Sequence, residues 1–416
     1  MSTVVQSGDY LLELDTGFDV GSFRLDDTTK GVLDNTTYLL GPTTQYADIT
    51  SNVTQVVYRR GRRKPDDQFG AGSMTFTMLD NTGILGPYDS SSPYYDPANN
   101  QPGLAPMRRV RFSRDNEYLF VGTVIAYDYT FAKAGPNTVT VQCADDFYKL
   151  AQAFLDEWNV DVETTSQRLT SLLALPEVDY AGATSIASSS VALGHDSAYT
   201  VSDGTNALAY VNAIQKAEQG RVFMSRDGTL TFQTRIGTTL SHPVVSFDDN
   251  GGTHYDAIEI EFDADNVVNR SQVINLGGTT ATADDLPSQA KYFIQTQSIS
   301  QSILEDSELQ SLADYLIVPE PEPRFTAVGT SFAMLTSTER DDVSTIDIGD
   351  TISVAKDIPG LGSSVGEELS VEGIEAIIDF RTGHRVKFYT SPTTIVYQLI
   401  LDDPTYGVLD ANNVLG

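Results

Sequence analysis

At 416 residues, with a formal net charge of −31 and a pI near 4.2, the chain is strongly acidic and long enough to bury a core without crosslinks. Its single cysteine, Cys143, excludes an intrachain disulfide and a multi-cysteine metal site. The acidic balance argues against nucleic-acid binding by the surface as a whole, because phosphate contacts need lysine and arginine.

A hydrophobic fraction of 40%, with 20 Tyr and 18 Phe, belongs to a folded protein and not to an acidic disordered tail. The length predicts roughly two to four domains. No apolar run approaches the roughly 18 residues of a membrane helix. The N-terminus lacks the basic flank and apolar core of a signal peptide. The expectation is a chain made in a cytosol, and kept there or assembled there into something larger.

Residues 1–22 have little periodicity and read as an arm. A segment follows with the pattern L-D-D-x-T-x-G-V-L-D, carried by Leu25, Asp26, Asp27, Gly31, Val32 and Leu33. The C-terminus repeats it in Leu401, Asp402, Asp403, Gly407, Val408 and Leu409. The two copies read as duplicated docking segments, with a twice-used Asp/Gly turn as the simpler alternative. The calcium-loop pattern D-x-D-x-D-G ending in Glu is absent from both.

Residues 51–145 read as mostly β. Arg59, Arg60, Arg62, Arg63 and Lys64 form a basic cluster in an otherwise acidic chain. After a Gly70–Gly72 hinge, Met74, Phe76 and Met78 alternate with Ser73, Thr75 and Thr77, the period of a half-buried strand. Asp80–Gly83 supplies a turn, and Asp89–Pro106 reads as a long loop. Arg109 and Arg111 alternate with Val110 and Phe112 along another strand, which turns at Asp115–Glu117 and returns through Tyr118–Phe131. These cations suit charge pairs with the abundant acids, or contacts between subunits; the preference of arginine for interfaces favours the second. Cys143 follows a strand pattern and is expected in the core.

Residues 146–245 change period. Asp145 is expected to cap a helix bearing Phe147, Leu150, Ala151, Phe154 and Leu155 on one stripe. Trp158 is expected to be buried, and Ala181–Ala192 to be a loop. Asp203 is expected to cap a second helix through Leu208, Val211 and Ile214, ending at Gly220. A hairpin turning at Arg226-Asp227-Gly228 follows. Residues 246–392 return to β: strands at Ile258–Phe262 and Asn269–Ile274, a helix capped by Asp306 or Ser307 and stopped by the Pro319–Pro323 run, then strands at Arg324–Phe332, Thr351–Val354 and Val371–Phe380.

Several stretches, taken in order, resemble one family: the arginine strand; Asp67-Gln68-Phe69-Gly70-Ala71-Gly72; Leu79-Asp80-Asn81; the R-V-R-F strand; the helix followed by G-R-V-F and R-D-G-T-L-T-F-Q-T-R; P-x-x-R-F; Asp347-Ile348-Gly349-Asp350; and Val371-Glu372-Gly373-Ile374. Together they are similar to minor tail proteins, the baseplate or tail-tip hubs of long-tailed phages, especially phages of actinobacteria. The resemblance implies a mainly β chain with an α+β insertion. Its parts would be an arm and docking segment (1–50), a first hub-type β-barrel (51–145), a small helix–hairpin domain (146–245), a second, pseudo-equivalent β-barrel (246–392) and a tail with the repeated segment (393–416). It further implies a homotrimer at the virion tail tip, made in the bacterial host cytoplasm. Its partners would be distal tail or tail-tube proteins, the C-terminus of the tape-measure protein, and receptor-binding or other minor tail proteins, with genome DNA passing through the lumen unbound.

An enzyme is not expected. The four histidines, His195, His242, His254 and His384, lack metal-hydrolase spacing. No G-x-S-x-G elbow or phosphate-binding loop occurs. No catalytic, cofactor or metal residue is assigned. The alternative is a receptor-binding or glycan-hydrolysing β-rich tail component, for which Trp158, Tyr94 and Tyr95 would be the sugar-stacking rings.

Overall fold

The computed structural model describes residues 9–18, 45–65, 67–96, 98–194, 199–235, 243–358, 360, 364–379, 383–392, 397–398 and 413–414. Both L-D-D-x-T-x-G-V-L-D segments lie outside them, as do His195 and His242.

The arm contributes β1 (Tyr10–Asp15) and β2 (Tyr46–Asp48), although its sequence gave no strand signal. The first module follows as β3 (Val53–Gly61), β4 (Ser73–Asp80), β5 (Arg109–Arg114), β6 (Glu117–Thr130) and β7 (Asn137–Ala144). The alternation read from Met74, Phe76 and Met78 is borne out, since all three are buried. Cys143 is buried too.

Helices α1 (Phe147–Gln152), α2 (Thr165–Leu173) and α3 (Ala207–Glu218) form the middle region. The expected first helix is cut short. Asp146 holds the N-cap position without a side-chain cap bond, the Asp145 carboxylate accepts from the Phe147 amide at the helix start, and Phe154 and Leu155 leave the helix to pair with Asn206 and Thr205. The cap of α3 is Asn206, whose side chain accepts from the Ala209 amide, and not Asp203. Gln219 takes the left-handed conformation at its end. Gly220 serves close packing instead, because a Cβ there would lie 2.2 Å from the Gln233 carbonyl oxygen. Helix α2, fastened by a Thr164–Gln167 capping box, had no sequence expectation. The expected loop 181–192 holds β8 (Thr184–Ile186), which pairs in parallel with one strand of the predicted hairpin, β9 (Arg221–Met224) and β10 (Leu230–Gln233).

The second module comprises β11 (Val245–Asp248), β12 (Ala257–Glu261), β16 (Arg324–Ser331), β17 (Thr351–Asp357), β18 (Ser364–Asp379) and β19 (Gly383–Pro392). Between β12 and β16 sits a small insertion with β13 (Arg270–Asn275), β14 (Thr280–Asp284), β15 (Thr296–Ser302), α4 (Leu286–Tyr292) and α5 (Leu309–Tyr315). Helix α6 (Ser337–Thr345) precedes β17.

Pairing exposes a duplication. The first module runs β5-β6-β7-β4-β3 and the second β17-β18-β19-β16-β12, the same order built from the same succession of strands. Each holds one long strand, of 14 residues in β6 and 16 in β18. The first half of each long strand pairs with the strand before it, and the second half with the strand after it. Each carries a bulge near the changeover, between Val124 and Ala126 in β6 and between Val371 and Gly373 in β18. A bulge bends a strand and increases its twist, which lets one strand serve two differently oriented partners.

The modules do not close into two separate barrels. β3 pairs antiparallel with β18, from Gln55 opposite Asp379 to Gly61 opposite Gly373, and this fuses them into one 13-stranded sheet. Among the described residues its pairing path ends at β2 and β12 without joining. The physical reason is that the bent second half of β18 already has β19 on one side and offers its other edge to β3.

Candidate inter-module junction

The β3–β18 seam places the basic cluster against acids that are distant in sequence. Arg62 donates from Nε to Oε2 of Glu372 at 2.8 Å. Arg221, at the start of the β9–β10 hairpin, donates to Oε1 of the same carboxylate at 2.6 Å, and the Ser391 hydroxyl donates to it at 2.7 Å. Glu372 is 1% exposed. Burial alone would raise its pKa, but Arg221 and Arg62 overcome that and hold it at about 2.

Glu372 can stand between two arginines because it is the extra residue of the β18 bulge. The seam is tight there. Gly61 has φ +78, and a Cβ on it would lie 2.3 Å from the Glu372 carbonyl oxygen. The Arg62 guanidinium also covers the buried Phe69 ring at 4.7 Å, and Phe69 packs on Phe223 of the hairpin. The D-x-F-x-A-G segment therefore anchors the middle region to the sheet.

A second buried pair lies beside the first. Arg60 donates to Asp347 at 2.6 Å, and Asp347 also accepts from the Arg226 amide at 2.7 Å. Arg226 reaches Glu117 of β6 at 2.8 Å. Arg114 of β5 contacts Asp341 and the Ser344 hydroxyl of α6, each at 3.0 Å. The Asp350 carboxylate accepts from the Asp347 amide at 2.7 Å, and burial pushes it up to about 6. Asp145 ties β4 to α1 by accepting from the Gly72 and Phe147 amides at 2.8 and 3.0 Å. Burial pushes it up to about 7 against the pull of those two donors.

The named cations thus divide. Arg60 is buried and Arg62 mostly so, both in ion pairs within the chain. Arg109 pairs with Asp146 at 2.5 Å, and Arg111 stacks over Tyr46 at 3.8 Å. Arg59 lies half-buried on β3, opposite Glu375 in the register. Arg63 and Lys64 are exposed and reach Glu375 and Glu261 at 3.2 and 3.5 Å. Glu372, Asp347, Arg221 and Arg226 lie within the sequence motifs, but no local pattern pairs them with the basic cluster. Trp158, Tyr94 and Tyr95 are all half-buried.

Among the described residues the open strand edges include those of β12 and of the second half of β6. β12 pairs only with β16, and leaves Ile260 46% and the adjoining Phe262 68% exposed. The second half of β6, Ala126–Thr130, pairs only with β7. Along it the rings of Tyr127, Tyr129 and Phe131 stack in a ladder with centroids 6.1 Å apart at each step.

No protein-family model and no curated protein sequence matches the chain. Solved structures do. The tail protein from Neisseria meningitidis MC58 superposes with a TM-score of 0.57 at 13% identity, over 94% of this chain and 99% of that one. The 43 kDa tail protein of prophage MuSo2 from Shewanella oneidensis gives a TM-score of 0.56 at 11% identity, over 92% and 98%. The chain has the fold of these tail proteins. At the junction, ion pairs link the first module, the β9–β10 hairpin and the second module. Among the described residues no group of three or more His, Cys, Asp or Glu is placed to hold a metal ion. No described helix is long and apolar enough to cross a membrane.

Proposed function

We propose that the chain is a structural component of a phage tail, and that copies of it join edge to edge into a ring at the tail tip. The observation that carries this reading is the duplication with its open edges. β3 holds the same place in the first module as β12 in the second, and β6 the same place as β18. Within the chain, β18 covers the outer edge of β3. The equivalent contact for the open β12 edge is β6 of a neighbouring copy, with Ile260 and Phe262 meeting the Tyr129–Phe131 ladder. Three copies then present six modules, in keeping with the homotrimer implied by the sequence resemblance. An exposed apolar edge of this kind otherwise invites uncontrolled pairing.

In that ring the tube protein sits on one face, and the tape-measure terminus and receptor-binding proteins meet the others. The net charge of −31 keeps DNA from adsorbing to the channel as it passes. Light-scattering mass of the purified chain and of Ile260→Lys and Phe131→Lys tests the reading. A trimer that falls to folded monomers in both variants supports it. A chain monomeric at all concentrations, or a trimer indifferent to both substitutions, overturns it.

A further inference from the structure

Where β3, β19 and α6 meet, the core holds a small cavity bounded by apolar side chains such as Leu119 and Phe388 and by the polar residues Tyr58, Arg60, Ser344 and His384. Two of the polar atoms at this place, Arg60 Nε and His384 Nε2, are buried and have no hydrogen-bond partner among the described protein groups. Arg60 uses Nη1 on Asp347, and His384 Nδ1 lies 3.0 Å from the Tyr10 hydroxyl. A buried N–H left without a partner is rare in a native protein, and two around one cavity call for a ligand.

We propose that this cavity binds one ordered water, which bridges Arg60 of the first module to His384 of the second and completes the joint. Size selects the ligand. The cavity leaves about 10 Å³ for the centre of a water molecule, near the minimum one water needs and too little for two. Chemistry selects it too. Arg60 Nε–H can only donate, which excludes a cation. His384 Nε2 donates or accepts according to which way the proton lies between Tyr10 and Nδ1. Water accepts from the arginine and serves either histidine tautomer; a halide serves only one and is larger. Ser344 and Tyr58 also line the cavity.

The site lies within one copy, so it stands or falls independently of ring assembly. A crystal structure of the full chain at about 1.5 Å, from a crystal soaked in sodium bromide, tests it. The expected result is one water peak about 2.7–3.2 Å from both nitrogens, with no anomalous signal. A cavity without density, or a bromide peak in it, overturns the proposal. Oxygen-17 relaxation dispersion on the wild type and on His384→Phe gives a second reading in solution. The variant ring fills the site, so the long-lived water count should fall by about one. An unchanged count in a folded variant overturns the assignment.

Discussion

Arg62 and Glu372, 310 residues apart in sequence, meet at 2.8 Å with both side chains almost wholly removed from water. Desolvating a charge costs several kcal/mol, and attraction offsets this only where geometry and further hydrogen bonds are complete. Arg221 and Ser391 supply that completion. The pair is therefore a specificity device: if the β3–β18 register slipped, the carboxylate would be stranded in the core.

Glu372→Gln should destabilise the chain by about 3–5 kcal/mol, because it leaves two buried guanidiniums without their counter-charge. Arg63→Gln, half-exposed beside Glu375, should change stability by less than about 1 kcal/mol. Urea denaturation of both variants measures the contrast. Equal losses would mean that burial does not set the strength of these pairs.

Gly61→Ala and Gly70→Ala should diverge in the same way. Gly61 combines φ +78 with backbone 2.3 Å from a new Cβ, whereas Gly70 has nothing within 4 Å. The first change should cost about 2 kcal/mol or more and the second should lie within about 1 kcal/mol of neutral. Thermal melts of the two variants decide it.

His384 gives a pH signature. Burial, then Arg114, lowers its pKa to about 3, against about 6.5 in the unfolded chain. Its neutral form contributes stability that is fully present above about pH 6.5 and is lost as pH falls toward 3. Glu372, held at about 2, adds a loss only below its unfolded value of 4.5. Asp145 and Asp350 act in the opposite sense, since their raised pKa values remove stability as pH rises through about 4 to 7 and 4 to 6. The whole-protein profile mixes these terms, so the difference between His384→Phe and wild type is the measurement. It should move in favour of the variant by up to about 1.4 kcal/mol per pH unit between pH 6.5 and 4.5. A pH-independent difference would place a charged histidine in the fold.

Arg63→Glu combined with Lys64→Glu probes the exposed cations as subunit contacts without touching the buried pairs. Lys64 already reaches Glu261, on the open β12 edge. The double variant should keep its melting temperature within a few degrees and lose oligomer mass. Unaltered mass would remove these two residues from any interface.

The sequence alone determined what local periodicity encodes. Alternation placed Met74, Phe76 and Met78 inside, Asp227-Gly228 marked the β9–β10 turn, and the order of motifs pointed to a tail protein. Local patterns failed where tertiary contacts supplied the stability. Helix α2 hides its stripe because Arg168, fully buried on it, is satisfied by Glu163 and Tyr210. Strand β1 finds its partners, β2 and β5, only when distant segments lie beside it.

Only the tertiary structure decided that the two modules share one sheet and that Arg60 and Arg62 are spent inside the chain. Side-chain period is a property of neighbouring residues. The partner of a buried charge is chosen by strand register across hundreds of residues, and nothing in the basic cluster itself distinguishes an internal carboxylate from one on another subunit.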